Sequence, residues 1–166
     1  MTLAVKQPNP SHVRLLVLTP EYADFLWLGA LLSRDCEMEP DLTWCPDLID
    51  CDDLIRNTHF DVILWDCVFH GGSEDAFLQY LSVSSNEKPV LALSAEPASE
   101  RAVDLLANGA SDYLSRQSLE EWGLRRAVRC LWYRQQLSES THGQFGREVA
   151  SGFINPDPCF ARLQQA

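Results

Sequence analysis

The segment FDVILWDCVFHGG is an apolar run that ends in one carboxylate, Asp66, followed by a loop with two glycines. Three other apolar runs end close to polar or conformationally restricted residues: Thr19 and Pro20 after the first, Ser94 after the second and Arg116 after the third. An aspartate at the end of a strand can attack an electrophile as a nucleophile, or it can form an ion pair with a nearby cation. The choice between these two chemistries depends on whether the fold brings the four strand ends together.

The apolar runs and the helical spacing between them predict five strands and five helices in strict alternation. The predicted strands are residues 13–18, 39–46, 61–66, 88–95 and 110–115. The predicted helices are residues 21–34, 47–57, 73–85, 99–109 and 118–137. Apolar residues at helical spacing and unbroken apolar runs of strand length support this assignment.

Alternation of this kind predicts an α/β domain with a parallel sheet covered by helices. Three of the strands are solid apolar runs, which burial on both faces of a parallel sheet produces. In such sheets the functional crevice lies outside the carboxyl ends of the strands. Thr19, Pro20, Asp66, Ser94 and Arg116 are therefore expected at the same edge of the sheet.

Three segments resemble the receiver domains of bacterial response regulators, the CheY-like family. FDVILWD resembles the phosphoacceptor strand, KPVLALSA the fourth strand, and ANGASDYLSR the segment that carries a switch aromatic and a basic residue. The resemblance covers about residues 13–137, and the order and spacing of the segments agree with it. It implies a flavodoxin-like α/β fold, with a five-stranded parallel sheet in the order 2-1-3-4-5 and helices on both faces.

The resemblance also implies roles for individual residues. Asp66 would be the phosphoacceptor, Ser94 and Tyr113 the switch residues, and Arg116 the cation that contacts the phosphoryl group. Arg116 stands where lysine is usual, and it keeps its charge but binds phosphoryl oxygens with a different geometry.

A receiver transfers its phosphoryl group with Mg²⁺, which prefers carboxylate oxygens beside the acceptor. The resemblance implies that Asp66, the carbonyl of Val68 and Glu21 would hold this ion. The two positions that are usually acidic after the first strand are Thr19 and Pro20 in this chain, and neither supplies a carboxylate. Mg²⁺ is therefore expected to bind weakly.

Two functions stay open at this point. In the first, the chain is an atypical receiver, or pseudo-receiver, that docks a partner and controls an output domain, with Asp66 in a salt bridge with Arg116. In the second, it is a working receiver that a histidine kinase phosphorylates on Asp66. Neither function makes the chain itself an enzyme.

Alternatives from other classes have less support. A hydrolase built on Ser94, His70 and Asp66 would need a G-x-S-x-G elbow, which is absent. A flavin carrier or other small enzyme of the same fold is compatible with the architecture, although no motif points to its pocket. Ser94 also fits a purely structural role as a turn cap, and Tyr113 a role as a half-buried strand aromatic.

Composition restricts the partners and the compartment. The 166 residues carry 13 lysines and arginines against 24 aspartates and glutamates, a formal charge of −11 that repels nucleic acid. No segment has the length of a signal-peptide core or of a membrane span, so a cytoplasmic location without membrane contact is expected. The six cysteines contain no C-x-x-C pair, which argues against zinc. Cys67 and Cys130 lie in apolar runs and are predicted to be buried thiols.

The last predicted helix has an inward face and a face suited to pairing. The residues predicted to point inward are Trp122, Ala127, Cys130 and Leu131. Trp132 and Tyr133 are large aromatics of the type that anchors interfaces. In receivers the fourth helix, fifth strand and fifth helix commonly form the dimer face, so a homodimer is expected here.

These patterns divide the chain into an N-terminal arm at residues 1–12, a receiver-like domain at residues 13–137, and a linker helix with a further segment at residues 138–166. Gly143 and Gly146 are predicted breaks in the linker. The end of the chain, SGFINPDPCFARLQQA, resembles the start of a GGDEF domain. The shared positions are Gly152, Asn155, Arg162 and Leu163. The resemblance implies that the output domain makes or degrades cyclic-di-GMP.

Overall fold

The computed structural model describes residues 11–33, 37–69, 73–84, 88–95 and 100–151. The GGDEF-like segment, His70 and most of the predicted N-terminal arm lie outside these residues. By their internal contacts, residues 1–135 and residues 136–166 form two compact units, and the first contains the whole sheet. The division into arm, receiver-like domain and linker stays a prediction.

The first unit is built around five strands. They are β1 (Ser11–Leu18), β2 (Met38–Cys45), β3 (Val62–Asp66), β4 (Val90–Ser94) and β5 (Asp112–Ser115). Every neighbouring pair is parallel, and the order across the sheet is β2-β1-β3-β4-β5. This confirms the predicted fold class.

Five helices connect and follow the strands. They are α1 (Tyr22–Leu32), α2 (Leu48–Asn57), α3 (Glu74–Ser84), α4 (Glu100–Ala107) and α5 (Glu121–Ser151). The predicted bounds agree to within three residues, with one exception at the end of α5. There the helix continues through Gly143 and Gly146, so their prediction as breaks is wrong. A glycine lowers helix stability by about 1 kcal/mol relative to alanine, whereas proline interrupts the backbone hydrogen bonds outright.

Local signals in the sequence explain where several helices begin and end. The Asp47 carboxylate caps α2 by accepting hydrogen bonds from two backbone N–H groups of its first turn. The hydroxyl of Ser73 accepts one from the N–H of Ala76, as expected for the predicted cap of α3. Gly109 ends α4 with φ of 116°, a backbone conformation that glycine adopts without steric cost. A short 3-10 turn, Arg116–Ser118, precedes α5.

Alternate side chains of the strands enter two separate cores. The side chains of Val13, Leu15 and Val17 pack with α1 and α5 on one face of the sheet. Leu16 and Leu18 pack with α2, α3 and α4 on the other face. This alternation has the period of two that a strand imposes, so both faces of the parallel sheet are covered.

The inward face of α5 differs from the prediction at two positions. Its buried residues are Leu124, Ala127, Val128 and Leu131. This set has the i, i+3, i+4, i+7 spacing of one helix face. Trp122 is 64% exposed and Cys130 is also exposed, since both lie off this face. The predicted burial of Trp122 and Cys130 is therefore wrong, whereas Cys67 is buried as predicted.

Among the described helices, none combines the length and the apolarity that crossing a membrane requires.

Candidate functional site

Asp66 is the last residue of β3, the central strand, and only 1% of it is exposed. Its carboxylate lies where β1, β3, β4 and β5 reach the same edge of the sheet. One oxygen, Oδ1, accepts a hydrogen bond from the backbone N–H of Val68 at 3.3 Å. The other, Oδ2, accepts one from the hydroxyl of Thr19 at 3.3 Å. Two neutral donors therefore orient this carboxylate without neutralising its charge.

The guanidinium of Arg116 supplies the missing positive charge. Its Nη1 donates to Oδ2 of Asp66 at 2.5 Å, so the predicted salt bridge between these residues is present. Its Nη2 lies 2.7 Å from Oδ1 of Asp24, and the carbon of the guanidinium lies 5.7 Å from the centre of the Trp27 ring. A planar fork of donors can bind two carboxylates at once, which an ammonium group does less well. Arg116 is therefore held on three sides.

Asp24 is the site residue that the sequence analysis missed. It lies in the first turn of α1, and its carboxylate pairs with Arg116. The expected role of Glu21 as a Mg²⁺ ligand stays a prediction. Glu21 precedes the helix with an exposed side chain that caps no N–H group. The rotation of α1 about its axis decides which carboxylate faces the sheet edge, and the apolar face Phe25, Leu28, Leu32 fixes that rotation. The signal was thus present in the helical spacing of Asp24 relative to this face.

Thr19 is fully buried, and its backbone is fixed on both sides. Its N–H donates to the carbonyl of Cys45 at 3.3 Å, and its own carbonyl accepts from the indole of Trp44 at 3.0 Å. Both bonds come from the end of β2. The hydroxyl that contacts Asp66 is therefore positioned by β2 as well as by β1. Pro20, at the second usually acidic position, is exposed and offers neither a carboxylate nor an N–H.

The loop after β3 is turned tightly onto the site. The N–H of Phe69 donates to the carbonyl of Asp66 at 2.8 Å, and the indole of Trp65 donates to the carbonyl of Phe69 at 2.7 Å. Val68, between them, is 55% exposed.

Ser94 and Tyr113, the predicted switch residues, occupy different surroundings. Ser94 ends β4 at the same edge of the sheet and is buried. Tyr113 lies in β5, where it pairs in register with Ala92 and belongs to the core beneath α2, α3 and α4. The aromatic ring is thus more deeply buried than the half-buried strand position that the sequence suggests. The roles of Ser94 and Tyr113 as switch residues stay predictions.

Burial raises the pKa of Asp66, and the negative charge of Asp24 raises it further. The charge of Arg116 and the hydrogen bonds from Val68 and Thr19 oppose this shift without cancelling it. Burial also acts against the charge of Arg116, but the hydrogen bond with Asp24 and the charge of Asp66 raise the pKa of the guanidinium overall. The site therefore keeps a permanent cation next to a carboxylate that is costly to ionise.

The residues at this edge do not fit Mg²⁺. The ion takes about six oxygen ligands in octahedral geometry, commonly with carboxylates among them. Here one oxygen of Asp66 and one of Asp24 already bind Arg116, and Thr19 donates a hydrogen bond instead of offering a charged ligand. In the described part of the chain, no group of three or more His, Cys, Asp or Glu side chains is arranged to hold a metal ion.

Neither a protein-family model nor a curated protein matches the chain. Solved receiver domains do match its structure. The receiver domain of Francisella response regulator 1452 has a TM-score of 0.64 and 23% sequence identity, over 74% of this chain and 98% of that one. A CheY-like receiver domain protein from Methanospirillum hungatei has a TM-score of 0.65 and 15% identity, over 77% and 99%.

A third similar structure carries a metal. The receiver domain of a sensor histidine kinase from Pseudomonas aeruginosa, with a magnesium ion coordinated in its active-site cleft, has a TM-score of 0.60 and 18% identity, over 74% of this chain and 98% of that one. These similarities show that the chain has the receiver fold that the sequence predicts.

Arg116→Met is expected to destabilise the protein by about 3 kcal/mol, because it leaves a buried carboxylate without its cation. In an Asp66→Asn background the same change is expected to cost only about 1 kcal/mol, since only the partly buried pair of Arg116 with Asp24 is then lost. Urea unfolding of the unmodified protein, Arg116→Met, Asp66→Asn and the double variant measures both values. Arg56→Met, which removes an exposed pair with Asp52, is the control and should cost less than about 1 kcal/mol. Equal costs in both backgrounds would show that the two side chains are not coupled.

The raised pKa of Asp66 predicts how stability changes with pH. Above the ordinary value of 3.8 and up to the raised value, the folded protein retains a proton that the unfolded chain has released. The stability of the unmodified protein relative to Asp66→Asn is therefore expected to fall as the pH rises through this window. Thermal unfolding of both proteins between acidic and neutral pH measures the difference. A rise in relative stability over that range would contradict the shift.

Proposed function

We propose that this chain is a receiver-like regulatory module of a bacterial signalling protein, in which an internal ion pair replaces the metal-dependent phosphoryl site. The observation that carries this proposal is the position of Arg116 between Asp66 and Asp24. A module of this type acts by docking a partner and controlling an output domain, and its resting state does not depend on phosphorylation. It is a pseudo-receiver with a degenerate magnesium site.

The contacts of Asp66 explain why phosphoryl transfer is disfavoured. Its Oδ2 accepts hydrogen bonds from both Arg116 and Thr19, which lowers the electron density available for nucleophilic attack. Transfer also needs positive charge on the phosphoryl oxygens, and the usual acidic positions that would bring in magnesium are Thr19 and Pro20. Arg116, the cation that contacts Asp66, is already paired with two carboxylates.

The second candidate is a working receiver that a histidine kinase phosphorylates on Asp66. One observation favours it: Asp24 brings a second carboxylate to the site, on the far side of Arg116 from Asp66. If Arg116 moved onto a phosphoryl group, Asp24, Asp66 and the carbonyl of Val68 would be the groups left to contact Mg²⁺. A receiver domain of similar fold holds a magnesium ion in its active-site cleft. Its similarity to this chain extends to the fold and not to the ligands.

The expected partners follow from the same proposal. A histidine kinase or another signalling protein would dock on the module, and a second copy would pair with it through α4, β5 and α5. Val103 and Leu106 on α4 and Tyr133 on α5 are exposed apolar side chains on these elements. The resemblance of residues 151–166 to the start of a GGDEF domain supports a cytoplasmic cyclic-di-GMP protein as the setting of the module.

Incubation with acetyl phosphate and Mg²⁺ is expected to leave the mass of the protein unchanged. A variant that combines Thr19→Asp, Pro20→Asp and Arg116→Lys restores the ligands and the cation of a receiver, and it is expected to gain one phosphoryl group. Intact mass spectrometry measures both, and Asp66→Asn in the restored variant is the control that should abolish the adduct. A single adduct on the unmodified protein that disappears in Asp66→Ala would instead establish the working receiver.

Val103→Arg is expected to shift the protein from dimer to monomer, because it places a charge among the exposed apolar side chains of the proposed pairing face. Sedimentation equilibrium at high micromolar concentration measures the change. Ile49→Arg is the matched control, since Ile49 is an exposed apolar residue of α2, outside that face. A monomeric unmodified protein, or dissociation by the Ile49 variant alone, would exclude this pairing face.

A further inference from the structure

A pocket of about 280 Å³ lies between the loops that follow β1, β2 and β3. The connection that leaves β1 leads to β2, whereas the connection that leaves β3 leads in the opposite direction across the sheet, to β4. Ligands of open parallel sheets bind in the crevice where neighbouring connections diverge in this way. The residues that line the pocket are Pro20, Pro46, Asp47, Leu48, Val68 and Phe69.

The walls of the pocket are mainly apolar. Five of the six lining side chains are apolar, and two of these are prolines, which have no N–H to donate. Leu48 and Val68 are exposed, whereas Phe69 is buried in the core. A cavity of about 150 Å³ holds one benzene ring, so this pocket has room for a ring with a short chain attached. Walls of this kind with one polar group are typical of small-molecule sites.

Asp47 is the one charged residue among those that line the pocket. Its Oδ1 accepts hydrogen bonds from the N–H groups of Ile49 and Asp50, so the carboxylate is held at the start of α2. The sequence neighbours of the lining residues include Glu21 and no lysine or arginine, and the whole chain carries a formal charge of −11. A ligand with a positive group is therefore favoured here over one with a negative group.

We propose that this pocket binds a small apolar amine, with its hydrocarbon part against Pro20, Leu48 and Val68 and its ammonium group paired with Asp47. Contact with the apolar walls supplies most of the affinity, because it removes hydrocarbon surface from water. The ion pair adds only a few-fold, because Asp47 is exposed and water screens the attraction. Its main effect is to select an amine over a neutral or acidic molecule of the same shape.

Two walls of the pocket are joined to the Asp66 site. The N–H of Val68 donates to Oδ1 of Asp66 at 3.3 Å, and the N–H of Phe69 donates to the carbonyl of Asp66 at 2.8 Å. Pro20 directly follows Thr19, whose hydroxyl donates to Oδ2 of Asp66. A molecule between Pro20 and Val68 thus contacts both segments that orient this carboxylate. That the amine is the input signal of the module rests on the proposed function, whereas its binding does not.

The test of binding uses the full chain labelled with ¹⁵N, and 2-phenylethylamine as the probe. We expect saturable shifts of the amide resonances of Val68 and Phe69 and of the indole of Trp65, which donates to the Phe69 carbonyl. The indole of Trp122, on the exposed surface of α5, is the internal reference and should stay in place. A dissociation constant on the order of a millimolar is expected for a probe of this size. The absence of saturable shifts at Val68 and Phe69 would overturn the proposal.

The role of Asp47 is tested with two analogues of the probe. We expect 2-phenylethanol to bind about fivefold more weakly than the amine, and phenylacetate more weakly still. Asp47→Asn removes the charge but keeps the helix cap, because asparagine caps as well as aspartate, so this variant should bind the amine and the alcohol equally. Asp53→Asn is the matched control, since Asp53 is an exposed carboxylate of the same helix that does not line the pocket.

The control Asp53→Asn should keep the fivefold preference for the amine. A preference that persists in Asp47→Asn would show that the ammonium group does not pair with Asp47. The neutral peptide analogue N-acetylphenylalanine amide is expected to bind more weakly than the amine. Tighter binding of this analogue would overturn the small-molecule site in favour of an aromatic side chain of a partner protein.

The connection to Asp66 has its own measurement. Saturation with the amine is expected to shift the amide resonance of Thr19 and the side-chain Nε–H resonance of Arg116. If Val68 shifts while Thr19 and Arg116 stay in place, the amine binds but is not the input signal. None of these results depends on whether acetyl phosphate modifies Asp66, so the failure of one proposal is distinguishable from the failure of the other.

Discussion

The arrangement at the edge of the sheet depends on one guanidinium. Asp66 ends the central strand with almost no exposed surface, and a carboxylate in that position without a cation would cost several kcal/mol. Arg116 supplies this cation through Nη1, and its Nη2 pairs with Asp24. Trp27 covers one face of the guanidinium and limits its contact with water. The site is therefore electrostatically compensated without any ion from solution.

This constraint connects elements that are far apart in the sequence. Asp66 belongs to β3, Arg116 follows β5, Asp24 lies in α1, and Thr19 follows β1 while hydrogen-bonded to the end of β2. One carboxylate thus links four parallel strands and a helix. Because each partner is held by a different element, a small movement of any of them changes the environment of the same charge. This property is consistent with the regulatory role proposed for the chain.

Much of this arrangement could be predicted from the sequence, because unbroken apolar runs define the strands of a parallel sheet and parallel strands end at a common edge. That reasoning brought Asp66, Thr19 and Arg116 together and predicted their ion pair. It missed Asp24, because the apolar face of α1 was not used to decide how the helix is rotated against the sheet. It also misplaced Trp122 and Cys130, because a helix with many apolar residues fits more than one inward face until packing selects one.

We propose that Arg116, and not a metal ion, neutralises Asp66. A crystal structure at high resolution, grown and soaked in millimolar Mg²⁺ near neutral pH, tests it most directly. We expect the guanidinium to lie within hydrogen-bonding distance of both Asp66 and Asp24, with no ion bound to Asp66. An octahedral ion at about 2.1 Å from the Asp66 carboxylate, with Arg116 displaced, would show that a metal ion takes this role instead.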